Sequence, residues 1–111
     1  MSTNLKFKVD FETDVDSLRS QLLEFSAFAK ISALNQIDSD NIHELLDAVK
    51  MCAYDYRAAV RTFAYKALHY ADHSKITEVL KDGLRDEDSD AFMAARELFE
   101  TMSRKQTAHK N

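Results

Sequence analysis

Proline occurs nowhere in this chain of 111 residues, and glycine occurs once, at Gly83. This scarcity restricts the fold more than any motif does. Sheets reverse through turns built on glycine and proline, and phosphate-cradling loops need glycines that let backbone approach the ligand. The chain is therefore expected to be all-α, without a Gly-rich nucleotide site. A hydrophobic fraction of 45 % beside 31 % charged residues is ordinary for a globular domain and too apolar for wholesale disorder. The length suits one core.

The stretch that organises the rest is Asp55 to Ala71, DYRAAVRTFAYKALHYA. Ala59, Val60, Phe63, Ala64, Ala67, Leu68 and Ala71 fall on one stripe of a 3.6-residue helix, with Phe63 read as a buried ring. Asp55 stands where a carboxylate can accept from the free N–H groups of the first turn. Arg57, Arg61, Tyr65 and His69 follow one another at spacings of four, with Lys66 beside them, and read as a basic, aromatic outer ridge. Arginine forks suit carboxylate or phosphate, and tyrosine adds stacking area with a polar tip.

In chain order, Leu5, Phe7, Val9 and Phe11 alternate with polar residues, a strand signature with no second strand downstream. Residues 1–12 read as an extended arm that covers the helical core or pairs with the same arm of a second copy, giving a homodimer. Thr13 and Asp16 form a helix-start pattern that opens one long helix to about Asn35, with Val15, Leu18, Leu22, Phe25 and Ala29 inward and Phe28 and Ile31 on a second apolar edge. Asn41 starts the next helix, Ser74 caps a fourth, and a fifth follows the acidic turn Asp86 to Asp90. Residues 13–102 read as a single helical domain of about five helices. Residues 103–111 carry Arg104, Lys105 and Lys110 and read as a flexible basic tail.

The second and third helices match the fourth and fifth at a shift of 31 residues: Leu45 falls on Ile76, Val49 on Leu80, Ala53 on Leu84, Val60 on Ala91, Ala64 on Ala95 and Leu68 on Phe99. Asp55, Val60, Arg61, Ala64 and Leu68 fit a D-x4-V-R-x2-A-x3-L pattern. Residues 42–102 thereby resemble short HEAT-like repeats of the phycobilisome-lyase type. The second unit matches in part, through Asp86, Ala91, Ala95 and Phe99, with Phe92 at the arginine position. The resemblance implies two stacked antiparallel helical hairpins, capped by the long first helix. It also implies a protein-binding scaffold that works through the Arg57, Arg61, Tyr65, Lys66, His69 ridge. Arg61 taken singly is expected to bond back to Asp55 or Asp88.

Rival chemistries are visible. Asp86, Asp88, Asp90 and Glu97 stand at positions 1, 3, 5 and 12 of a calcium-loop pattern, but Ala91 occupies the place of its glycine. His69 and His73 have metal-ligand spacing without a third ligand. Cys52, the one cysteine, permits no internal disulfide and reads as a small buried hydrophobe. No nucleophile constellation is present, so neither enzyme activity nor a cofactor is expected. The net charge of −4 disfavours bulk nucleic-acid binding, and no apolar run suits a membrane span, so the default compartment is the cytoplasm. The reading is a non-enzymatic adaptor or inhibitor-like module whose partner is a protein bearing an acidic patch. The alternatives are a nucleic-acid-associated protein using the ridge and tail against phosphates, and a calcium-responsive helix pair.

Overall fold

The structure, a computed structural model, describes residues 14–110, with side chains described through residue 105. Leu5, Phe7, Val9 and Phe11, and with them the expected arm and its pairing between copies, lie outside the described residues. The described chain is all-helical: α1 (Val15–Leu22), α2 (Ala27–Leu34), α3 (Ile42–Cys52), α4 (Ala58–Ala67), α5 (Thr77–Gly83) and α6 (Ser89–Lys110). Short 3-10 turns, Leu68–Tyr70 and His73–Lys75, lie between α4 and α5. No helix among the described residues is long and apolar enough to cross a membrane.

The expected long first helix is two helices. Asp14 caps α1, accepting from Asp16 N–H at 3.2 Å and Ser17 Oγ at 3.0 Å. The helix stops at Leu22. Ser26 starts α2, its hydroxyl accepting from Ala29 N–H at 3.2 Å. The carbonyl of Leu22 accepts from the Lys30 ammonium at 2.6 Å and from the Cys52 thiol at 3.6 Å, so the end of α1 is satisfied by side chains from α2 and α3. Leu18 and Leu22 enter the core from α1, and Ala33 and Leu34 from α2. Phe25 and Phe28, expected inward, are 79 % and 84 % exposed. Both sit on the reversed segment, where a continuous helical register no longer holds.

Two more expectations are corrected, and a third, that Asn41 starts the next helix, stands. Ser74 is not the cap of a helix: it lies within a 3-10 turn held by the Asp72 carboxylate, and α5 begins at Thr77. Asn41 sits at the start of α3 but spends its side chain on the preceding loop. Its Oδ1 accepts from Asp38 N–H at 2.9 Å and its Nδ2 donates to Gln36 O at 3.0 Å. The last helix does not end near Met102 but runs through Lys110.

One turn geometry appears three times at intervals of 31 residues. Glu24 N–H donates to Gln21 O, Asp55 N–H to Cys52 O and Asp86 N–H to Gly83 O, at 3.2, 3.1 and 3.1 Å. Asp55 then accepts from Arg57 N–H at 2.9 Å, and Asp86 from Asp88 N–H at 3.0 Å. The helices that follow these turns begin at Ala27, Ala58 and Ser89. Within the fold α1 packs on α2, α3 on α4 and α5 on α6, while α4 also touches α2 and α6. The core sits around α4, where Val60, Ala64, Tyr65, Ala67 and Leu68 meet Leu45, Val49, Ile76, Ala91, Ala95 and Leu98.

Candidate functional site

The five residues expected to form one open ridge are not brought to one face. Arg57 is bound by the Asp55 carboxylate through Nε at 2.9 Å and an Nη at 3.0 Å. Its guanidinium lies 5.2 Å from the Phe25 ring centre and 4.7 Å from that of Tyr56. Arg61 grips both oxygens of Asp86 at 2.8 and 2.9 Å and donates to the backbone carbonyls of Asp55 and Tyr56 at 2.9 and 3.1 Å. Its carboxylate partner is thus Asp86, while Asp55 offers it only a backbone oxygen. Tyr65 is buried at 2 % exposure, and its hydroxyl points at Ala53 O, 3.4 Å away. His69 is half-buried in the 3-10 turn that ends α4. Of the five, only Lys66 stands open to solvent.

Each of these placements has a local cause. Tyr65 lies over Gly83, whose missing side chain makes room for the ring: a Cβ there would come within 2.7 Å of the tyrosine Cζ and 2.9 Å of the Ala95 Cβ. Gly83 has no positive φ, so it is needed for close approach rather than for turning. Arg61 emerges where the turn before α4 and the turn before α6 face each other, and its planar fork fits a carboxylate on one side and carbonyls on the other.

The electrostatics follow the same contacts. The Arg61 guanidinium holds the Asp86 carboxyl below its usual range, and Arg57 does the same for Asp55, with Lys30 adding to the effect. Burial pushes the Tyr65 hydroxyl up to about 12. Hydrogen bonding to Asp82 lifts the exposed Tyr54 hydroxyl to about 12 as well. Burial lowers His69 and His73 and raises the Cys52 thiol, so Cys52 fits its expected place as a buried hydrophobe.

The calcium pattern is dispersed. Asp86 is engaged by Arg61, and the Asp88 carboxylate caps α6 by accepting from Ala91 N–H at 3.0 Å. Asp90 and Glu97 face elsewhere, on a groove between α4 and α6. Among the described residues no group of three or more histidine, cysteine or acidic side chains is placed to hold a metal ion.

That groove has a volume of about 610 Å³. Its apolar lining comes from Ala59 and Phe63 on α4 and Met93 and Ala94 on α6. Thr62, Lys66, Asp90, Arg96, Glu97 and Glu100 supply the polar part. Phe63, expected as a fully buried ring, is half-buried here, with the Lys66 ammonium 5.1 Å from its centre. Arg96 pairs with Glu100 at 3.2 Å. The two walls correspond at the 31-residue shift: Ala59 with Asp90, Thr62 with Met93, Phe63 with Ala94 and Lys66 with Glu97. Carried one unit back, the same shift reaches Phe28 and Ile31 on α2. In the sequence the groove positions carry other readings: Ala59 and Phe63 fall on the apolar stripe, and Asp90 and Glu97 fit a weak calcium-loop pattern.

No protein family model matches the chain, and comparisons with curated proteins and with solved structures give no match.

Proposed function

We propose that this chain is a small protein-binding scaffold that acts by docking a partner in the groove between α4 and α6, without chemistry of its own. The observation that carries the reading is the groove itself: an apolar lining framed by charged side chains, on helices whose opposite faces are committed to the core. A cleft of this size is in the range that buries a ligand or the anchor residues of a peptide segment.

The architecture in this proposal is three stacked helical hairpins, α1–α2, α3–α4 and α5–α6, in the manner of short HEAT-like units, so that α2, α4 and α6 line one continuous face. Support comes from the triple recurrence of one turn and from a rung between two successive units, where Arg61 bridges to Asp86. Lys30, at the corresponding place one unit earlier, donates to the Leu22 carbonyl at 2.6 Å instead of forming a second rung. Phe92 ends the series. Three units also meet the usual minimum for stacked helical pairs.

Phosphate binding loses its main support, because Arg57 and Arg61 are each matched to a carboxylate. The ridge expected to meet an acidic partner retains Lys66 alone as an open cation. The test is a photo-cross-linking side chain placed at Met93 in host cells, with Glu78 on α5 as the control position. A discrete adduct from Met93, absent from Glu78 and lost when Ala59→Trp fills the groove, is expected. Equal labelling from both positions would reject the reading.

A further inference from the structure

We infer that the segment docked in the groove is an amphipathic helix carrying lysine or arginine beside its apolar anchors; this rests on the groove being a docking site. The groove is apolar along Ala59, Phe63, Met93 and Ala94, so its occupant must present an apolar stripe. The charges then decide its sign. Arg96 is matched by Glu100 at 3.2 Å, and the Lys66 ammonium rests over the Phe63 ring. Among the described residues neither Asp90 nor Glu97 has an ion pair. Asp90 lies in the first turn of α6, where the helix terminus partly offsets its charge, but Glu97 lies two turns further on and has no such relief. His69, at the end of α4, interacts with Glu97 while its burial favours the neutral form, and the groove itself sets Lys66 and Arg96 against Asp90, Glu97 and Glu100. The surplus on the rim is therefore negative. Cations on the partner would meet Asp90 and Glu97 while its apolar stripe covers Phe63 and Met93. Grooves between helices commonly take a partner helix in this way, with anchors at helical spacing.

Three synthetic helical peptides of one pattern test it by fluorescence anisotropy against the full chain: leucine with lysine, leucine with glutamate, and serine with lysine. Saturable binding of the leucine–lysine peptide is expected, with the other two weaker by roughly tenfold or more. Asp90→Lys with Glu97→Lys should weaken that peptide by roughly tenfold and strengthen the leucine–glutamate one, since attraction becomes repulsion. The same charge change at Asp47 and Glu78, outside the groove, should leave both unaltered, and circular dichroism should show every variant folded. If the leucine–glutamate peptide binds better and Ala59→Trp blocks it, the groove docks partners but the inferred sign is wrong. Failure of the leucine–lysine peptide to bind, or binding indifferent to both the charge reversal and Ala59→Trp, overturns the inference. Indifference of every peptide to Ala59→Trp, joined to equal cross-linking from Met93 and Glu78, removes the docking site as well.

Discussion

A methyl group is the smallest side chain that could be added at position 83, and it does not fit. Replacing glycine by alanine inside a helix ordinarily stabilises by up to about 1 kcal/mol. Here the new Cβ would stand 2.7 Å from one atom of the Tyr65 ring and 2.9 Å from the Ala95 Cβ, so buried atoms must move. Overpacking of that kind costs about 1–3 kcal/mol. Gly83→Ala is therefore expected to lower the midpoint of denaturant unfolding, and a rise would show that Tyr65 is free to give way. The pair Arg61–Asp86 is a second residue-scale test, since the Asp86 side chain is only 6 % exposed. Asp86→Ala leaves the guanidinium facing carbonyls alone and should cost about 1–3 kcal/mol. Because folding lowers the carboxyl pKa of Asp86, its contribution is complete above the ordinary carboxylate range and is lost as pH falls below about 4. The stability of Asp86→Ala should consequently fall less steeply over that acidic window than that of the unaltered chain, and parallel curves would refute the linkage.

At the scale of the element, the clearest lesson lies between Leu22 and Ser26. The spacing Leu18, Leu22, Phe25, Ala29 is continuous in helical period, and nothing in it announces a reversal. The break is made by groups that periodicity does not weigh: the Ser26 hydroxyl capping α2, and Lys30 and Cys52 closing on the Leu22 carbonyl. Two of those three partners come from other helices, so the interruption becomes visible only when the chain is folded. By contrast α3 and the inner stripe of α4 were legible, because Leu45, Val49, Val60, Ala64 and Leu68 are buried where a 3.6-residue period puts them. Tyr65 departs from its expected place because its hydroxyl argues for the surface while the gap left by Gly83, eighteen positions away, admits the ring. The groove is half legible in the sequence: Lys66 reads as a surface contact, whereas Phe63 reads as core and Glu97 fits a weak calcium pattern. Phe28→Ser follows from the corrected register. With the ring 84 % exposed, the substitution should change stability by less than about 0.5 kcal/mol. A loss of several times that, measured on the full chain, would place the ring against a surface the described residues do not contain.

For the molecule as a whole, the position of α4 sets the order in which parts can open. Among the described residues it packs on α2, α3 and α6, whereas α1 packs mainly on α2 and α3, and the described side chains of α6 beyond Met102 are exposed. Amide hydrogens in α4 should then exchange with solvent only when the entire domain unfolds, and those of α1 through cheaper, partial openings. Exchange from α1 as slow as that from α4 would contradict this ranking. The groove joins unequal walls, one on the most persistent helix and the other on the first turns of α6. A segment seated there would slow exchange along Met93 to Glu97 and leave the Thr62 to Lys66 turn unchanged until binding raises global stability.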